Sequence, residues 1–324
     1  MDIELVKKLE GTKLQAWQAL LQTSGLTPEE MPEVTILVWD EDSLIATGSR
    51  QENLLKYIAV SQARQGEDLT ATVLTALRQN AFEAGYSHLF LYTKPKNEFL
   101  FSSLFFYPIA KTKDVLLMEN RQNGIDSFLA SLPADSCENA GAVVMNCNPF
   151  TKGHRYLIET AANECGHLYV FVLSEDKSEF SAADRLEMVK LGTQDLQNVT
   201  VLPTGPYLIS GVTFPTYFLK ENANIPQVQC QLDIAVFTKY YCPKFHITRR
   251  YVGSEPFCPV TSAYNLALAE HLPQKGIELR QLPRLEQAGQ AISASLVRKL
   301  WKAEAWEQLQ SLVPETTYAY LRRR

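Results

Sequence analysis

The apolar positions of this chain change period several times, and each change marks an element. Over residues 3–22 they recur at helical spacing, and the opening MDIELVKKLEG reads as an amphipathic helix. VTILVWDEDSLIATGS then alternates, predicting two strands joined by a hairpin around Asp40–Ser43. LKYIAVS reads as a strand, followed by ARQGEDL and a long helix in which Leu69, Val73, Leu77, Ala81 and Ala84 share a face and Gly85 supplies the stop. HLFLYT, a helical segment around Asn97–Leu104, and the strands LFFYPIA and DVLLMEN complete a first region.

A second rhythm begins at GAVVMN, an apolar strand leading through CNPFTKG into the helix HRYLIETAANEC. Strand HLYVFVL, helix Ala182–Leu191, strand NVTVLP, a helix around Tyr217–Asn222, strands LDIAVF and TRRYVG, a helix around Ala263–Leu272, strand IELRQL and terminal helices from Ser293 follow. Strands alternating with helices predict a parallel doubly wound sheet, with its ligand beyond the carboxyl ends of the strands. The polar, proline-containing SLPADSCENA lies just ahead of this pattern, so the expected domains are residues 1–137 and 138–324. The fold class is therefore α/β, with an α+β domain in front.

Composition narrows the function. With 46% hydrophobic and 21% charged residues among 324, the chain can bury ample core. A net charge of −5 is no footprint for nucleic acid. No apolar stretch reads as a membrane span and the N-terminus does not read as a signal sequence, so a cytoplasmic protein with no membrane partner is expected. The six cysteines form no CxxC pair and have no histidine at metal-ligand spacing, so no protein-held metal is expected.

The densest chemical signal is GAVVMNCNPFTKGHRYLIE. It puts a turn containing Asn148, Pro149 and Phe150 between a strand and a helix, with Thr151, Lys152, Gly153 and His154 at the helix start. Gly153 permits close backbone approach, free amides there favour phosphate, and His154 can donate to a phosphoryl oxygen as charge builds. The plainer alternative makes Thr151 a helix cap and His154 a surface residue. In GQAISASLVRKL, Ser293 fits an N-cap, and Ser295 and Arg298 share a face, so this second helix start can also meet phosphate. A capped helix with a solvated arginine fits that segment alone as well. Gly253 and Glu255 sit where the strand TRRYVG runs into a turn, and Arg249 or Arg250 is a weaker phosphate candidate, since one of two neighbours points away. Lys152 and Lys177 are weaker candidates too, with solvated surface lysine as the competing reading. Cys147, beside the motif, reads as a small packing residue rather than a nucleophile.

TKGH resembles motif I of the nucleotidylyltransferase superfamily, (H/T)xGH, and ISASLVR resembles its ISSTxxR motif. The AVSQARQGEDLTATVLTAL turn and the element order before it resemble the acetyl-CoA-dependent N-acetyltransferase fold. Gly66 matches the first glycine of that family's turn, whereas Ala63 replaces its Arg or Gln and Asp68 its second small residue, which argues against acetyl-CoA chemistry. With SEDKSEF, ADRLEMVK, TFPTYFLK and YVGSEPFCPVTSAYN, the whole chain resembles the citrate lyase ligase family.

That resemblance implies activation of acetate by ATP and acetylation of the phosphoribosyl-dephospho-coenzyme A thiol on the citrate lyase acyl carrier subunit. It implies Mg2+ on the phosphates, transition-state roles for His154 and Arg298, phosphate contacts from Thr151 and Gly153, and pyrophosphate contacts from Ser293 and Ser295. ATP contacts are expected from Asn148, Pro149, Phe150, Gly253 and Glu255. Two alternatives stay open on the sequence: adenylyl transfer to a mononucleotide or phosphopantetheine, and a non-enzymatic nucleotide-binding regulator. The N-terminal domain, suited to a coenzyme A-like molecule, is expected to dock the carrier's arm.

Overall fold

The structure, a computed structural model, describes residues 1–176, 178–208, 214–219, 224–254, 259–287 and 290–324. It divides into two compact units, residues 1–124 with 214–228 and residues 125–213 with 229–324.

The first unit runs β1 (Asp2–Val6), α1 (Gly11–Thr23), β2 (Val34–Asp40), β3 (Ser43–Gln51), β4 (Leu54–Val60), α2 (Leu69–Glu83), β5 (Phe90–Thr93), α3 (Glu98–Ser103), β6 (Tyr107–Lys111) and β7 (Leu116–Glu119). Its seven strands form one mixed sheet, ordered β1-β2-β3-β4-β5-β7-β6. Only β4 and β5 pair in parallel, through Leu54–Phe90 and Leu55–Leu91. Val73, Leu74, Leu77 and Ala81 of α2 pack on the sheet with Ile36, Val38 and Leu91.

One expectation fails here. MDIELVKKLEG does not open as a helix: Asp2–Val6 pairs antiparallel with β2, Ile3 opposite Val38 and Leu5 opposite Ile36. Ile3 and Leu5 alternate with Asp2 and Glu4, and where a sheet edge is on offer this period-2 pattern prevails. The helix starts only at Gly11, which has a positive φ.

The second unit contains α4 (Gly124–Ser131), β8 (Ala140–Met145), α5 (Lys152–Asn163), β9 (Leu168–Val172), α6 (Ala182–Thr193), β10 (Val199–Pro203), α7 (Ile225–Val236), α8 (Cys242–Phe245), β11 (Ile247–Gly253), α9 (Pro259–His271), β12 (Glu278–Leu282), a short hairpin of β13 (Glu286–Gln287) and β14 (Gln290–Ala291), then α10 (Ala294–Lys302), α11 (Trp306–Leu312) and α12 (Glu315–Arg322). Its main sheet is ordered β10-β9-β8-β11-β12, and every pairing is parallel. The chain leaves β8 towards β9 on one side and later reaches β11 on the other, so the switch point lies between β8 and β11.

Both ends of the expected boundary move. Phe128 of α4 lies against Gly205 and 5.6 Å from the Tyr207 ring, which ties α4 to the second unit and puts the division after Gly124 rather than near 137. Residues 214–228 group with the first unit: Thr27 donates its amide to the Tyr217 carbonyl at 2.8 Å, and the Tyr217 hydroxyl donates to the Tyr92 carbonyl at 3.0 Å. LDIAVF is helical, not a strand. A short apolar run has no period of its own, and here helix α7 buries Cys230, Leu232, Ile234 and Val236 while pairing its Asp233 with Arg250. The helix expected around Tyr217–Asn222 is a turn at 217–219, and residues 220–222 lie outside the described residues.

Candidate active site

Beyond the carboxyl ends of β8 and β11 opens a cavity of about 1010 Å³, lined by residues from both strands and from the starts of α5 and α10. Its described lining holds Arg250, Arg284 and Arg298 and no carboxylate. Two helix N-termini together with guanidinium charge favour a polyanion here.

The motif turn builds one wall. Thr151, buried and extended, caps α5 by accepting the His154 amide. His154 reciprocates from the third helical position, its Nδ1 accepting the Thr151 amide at 3.1 Å. A backbone N–H can only donate, so Nδ1 carries no proton and the neutral ring holds its proton on Nε2. Burial, helped by the positive charge of Arg284, lowers the His154 pKa to about 4, so the ring is a neutral N–H donor at pH 7. Phe150 does not line the cavity. It is fully buried beneath the turn, stacked 6.1 Å from the His154 ring and pressed against Gly192, where a Cβ would come within 2.4 Å of it.

Asn148 and Pro149, joined by a cis peptide bond, belong to the same turn and, like Phe150, do not line the cavity. The Asn148 side-chain oxygen accepts the Phe180 amide at 3.1 Å, and its carbonyl accepts from Arg298. Arg298 thus links α10 to the motif turn. Ser293 caps α10 by accepting the Leu296 amide at 3.2 Å and lies 3.1 Å from the exposed Ser295 hydroxyl. The starts of α5 and α10 meet at Gly153, whose added Cβ would stand 3.4 Å from the Ile292 carbonyl oxygen.

The remaining candidates separate. Gly253 lines the cavity with open space above it, and its carbonyl accepts from Asn265 at 3.0 Å. Arg249 pairs with Glu278 at 2.8 Å and donates to the Glu164 carbonyl, away from the cavity. Arg250 lines it but is itself 3% exposed, its guanidinium held by Asp233 at 3.1 Å and by the Tyr264 hydroxyl. Lys152 donates to the Gln310 carbonyl. Lys177 and Glu255 lie outside the described residues. Cys147 is buried, and burial pushes its thiol pKa well up, which leaves it inert.

Two residues are not evident in the sequence. Arg284 follows β12 and lines the cavity, its Nε donating to the Ser254 carbonyl at 2.7 Å. Its place just past a strand's carboxyl end is the signal that could have found it. Arg185, completely buried in α6, donates to carbonyls of Asn146, Leu173, Glu175 and Phe180 and to the Asn146 side chain. It fastens the loop after β8 to the loop after β9. Nothing in ADRLEMVK distinguishes such an arginine from a solvated one.

No cluster of three or more His, Cys, Asp or Glu among the described residues could hold a metal. No helix among the described residues is long and apolar enough to cross a membrane.

The second unit is thus a parallel five-stranded sheet with an arginine-lined cavity at its switch point, flanked by the TKGH turn and the capped ISASLVR helix. The sequence model of the citrate lyase ligase C-terminal domain matches residues 140–321. The citrate (pro-3S)-lyase ligase of Klebsiella pneumoniae is 38% identical over 98% of this chain and 95% of its own. That of Escherichia coli K12 is 37% identical over 98% and 92%, and that of Haemophilus influenzae 35% over 97% and 96%. The chain belongs to the citrate lyase ligase family, a family of ligase enzymes. Among solved structures it is similar to Escherichia coli ElaA, with TM-score 0.32 and 14% identity over 37% of this chain and 99% of that one. It is also similar to Thermotoga maritima TmcAL bound with alpha-thio ATP, with TM-score 0.37 and 14% identity over 57% and 55%.

Proposed function

We propose that this protein activates acetate with ATP and passes the acetyl group to the thiol of the citrate lyase acyl carrier's prosthetic group. The observation that carries this reading is the Thr151–His154 arrangement at the mouth of an arginine-lined cavity, in a chain of this family. ATP lies across the switch point with its phosphates between the starts of α5 and α10. An acetate oxygen attacks the α-phosphorus and pyrophosphate leaves, giving acetyl-adenylate. Little bond-making falls to the protein, so its contribution is positioned charge.

The Nε2–H of His154 donates to an α-phosphate oxygen as negative charge develops there, and Arg298 offers a planar fork to the same group. Thr151 and the Gly153 backbone amide hold phosphate, while Ser293 and Ser295 donate to the departing pyrophosphate. Arg284 adds charge on the far wall. Mg2+ on the phosphates would neutralise charge with water and phosphate oxygens as its ligands. In the second half-reaction the carrier thiolate attacks the acetyl carbonyl and AMP leaves. Because that sulfur belongs to the partner, no cysteine of this chain needs to be reactive. The prosthetic group is the phosphoribosyl-dephospho-coenzyme A that family membership implies.

The experiment is to incubate the protein with ATP, Mg2+, acetate and hydroxylamine. Acetyl-hydroxamate with AMP and pyrophosphate is expected; ADP as the nucleotide product, or no acetate dependence, overturns the reading.

A further inference from the structure

Arg250 lines the cavity of the second unit as a buried guanidinium with hydrogen-bond donors to spare. Of its five N–H groups only two have a partner among the described residues: Nη1 donates to Asp233 at 3.1 Å and Nη2 to the Tyr264 hydroxyl at 3.2 Å, while Nε has none. The Phe237 ring lies 4.6 Å from the guanidinium carbon, which fixes the plane of the fork as well. Tyr264 donates in turn to Asp233, and burial raises its pKa, so the phenol keeps its proton in that role. A buried donor without an acceptor is costly, and at a cavity wall the group that relieves it is a ligand.

The two faces of β11 give that ligand its place. Arg249 and Tyr251 point towards α5: the first donates to the Glu164 carbonyl at the end of that helix, and the second packs with Ile158 and Ala161. Side chains alternate along a strand, so Arg250 points the other way, to Asp233 of α7 and Tyr264 of α9. His154 and Arg250 therefore reach the cavity from opposite faces of the sheet. In a displacement at phosphorus the attacking and leaving oxygens stand in line, on opposite sides. With the leaving pyrophosphate at the starts of α5 and α10, the attacking acid belongs on the side of Arg250.

The surroundings of Arg250 suit a short carboxylic acid better than a phosphate chain. It sits opposite Ala142 of β8 and ahead of Gly253, where β11 ends, so it lies below the helix starts that favour phosphate. Asp233 already balances its charge, which leaves directed hydrogen bonds rather than net attraction for a polyanion. Val252 and Val144, each two residues further along its strand, share the face of Arg250 and line the cavity. Two valines beside a fixed fork fit a short alkyl group next to its carboxylate.

We infer that Arg250 binds the carboxylate of the acid substrate, aimed by Asp233 and Tyr264 as positioning residues, and that Val144 and Val252 limit the length of that acid. The inference rests on the proposed function and adds to it the side from which the acid enters.

Acetate-dependent ATP–pyrophosphate exchange by the full-length protein provides the test. Arg250→Lys keeps a charge beside Asp233 but loses the fork, so the KM for acetate should rise about tenfold or more while that for ATP stays within about twofold. Asp233→Asn should move the acetate KM in the same direction with kcat within about threefold, whereas a purely structural pair would lower the yield of folded enzyme and leave both KM values alone. Val144→Ala leaves the buried pair intact and should raise the kcat/KM for propionate relative to acetate about tenfold. An unmoved acetate KM in folded Arg250→Lys overturns the inference. So does a rise in the KM for ATP in its place, which would make Arg250 a phosphate contact, or an unchanged propionate ratio in Val144→Ala. If Arg250→Lys fails to fold, Asp233→Asn and Val144→Ala decide the matter by the same readings. Native protein without acetate-dependent exchange would sink the adenylate reading and this inference together; exchange with an unmoved acetate KM sinks the inference alone.

Discussion

The backbone amide of Thr151 donates to Nδ1 of His154 at 3.1 Å, so the cap of α5 also fixes the tautomer of the ring that faces the cavity. Structure and chemistry share one pair of residues. His154→Ala should lower turnover roughly 100-fold or more with folding intact, the value of one preorganised donor to developing charge. A loss under about fivefold would remove His154 from the machinery.

The same geometry sets a pH signature. The folded-state pKa of His154, about 4, lies below its ordinary 6.5, so between those values the unfolded chain binds more protons than the folded one. Stability from this group is complete above pH 6.5 and is lost as pH falls towards 4. Denaturation from pH 4 to 7 should therefore show the native protein gaining stability with pH more steeply than His154→Asn does. Ring titration followed by NMR should show no midpoint near 6.5 for His154.

Arg298→Lys should lose at least about tenfold in pyrophosphate release, because an ammonium cannot reproduce a fork that donates to the Asn148 carbonyl and, in the proposed reaction, to a phosphate as well. Near-normal release by this variant would reduce Arg298 to a link between α10 and the turn.

Gly192→Ala tests the layer beneath the site. Its Cβ would press on Phe150 at 2.4 Å, and Phe150 stacks on His154. Overpacking of this kind costs about 1–3 kcal/mol, so a lower midpoint in urea and reduced turnover should appear together. Arg185→Met should cost more, roughly 3 kcal/mol or above, because it abandons several buried carbonyls at once.

The TKGH turn and the ISASLVR helix are legible in the amino-acid sequence because capping chemistry is local: Thr151 and Ser293 cap the helices that their side-chain types predict. The parallel sheet is legible because β8 and β9 are apolar runs bounded by turns. What stays hidden depends on distant partners. The orientation of Arg250 is set by Asp233, on a helix that LDIAVF disguises as a strand. Phe150 looks like a cavity residue because Thr151, Gly153 and His154 beside it line the cavity, yet Gly192, forty-two residues on, makes room for it in the core. Residues 214–228 group with a unit whose strands all end by Glu119, which no linear division of the chain could supply. A division at residue 137 would consequently separate Tyr217 and Phe214 from Tyr92, against which both pack.

The central claim is that an acetate oxygen attacks the α-phosphorus of ATP. Acetate labelled with 18O in both carboxyl oxygens tests it most directly. In a complete reaction with ATP, Mg2+ and the arm-bearing carrier, the bond between the acetyl carbon and the bridging oxygen breaks when the thiolate attacks. The labelled oxygen must then stay on phosphorus. Mass spectrometry should find one 18O in AMP and none in pyrophosphate; label in inorganic phosphate beside ADP, or AMP free of label, would contradict the account.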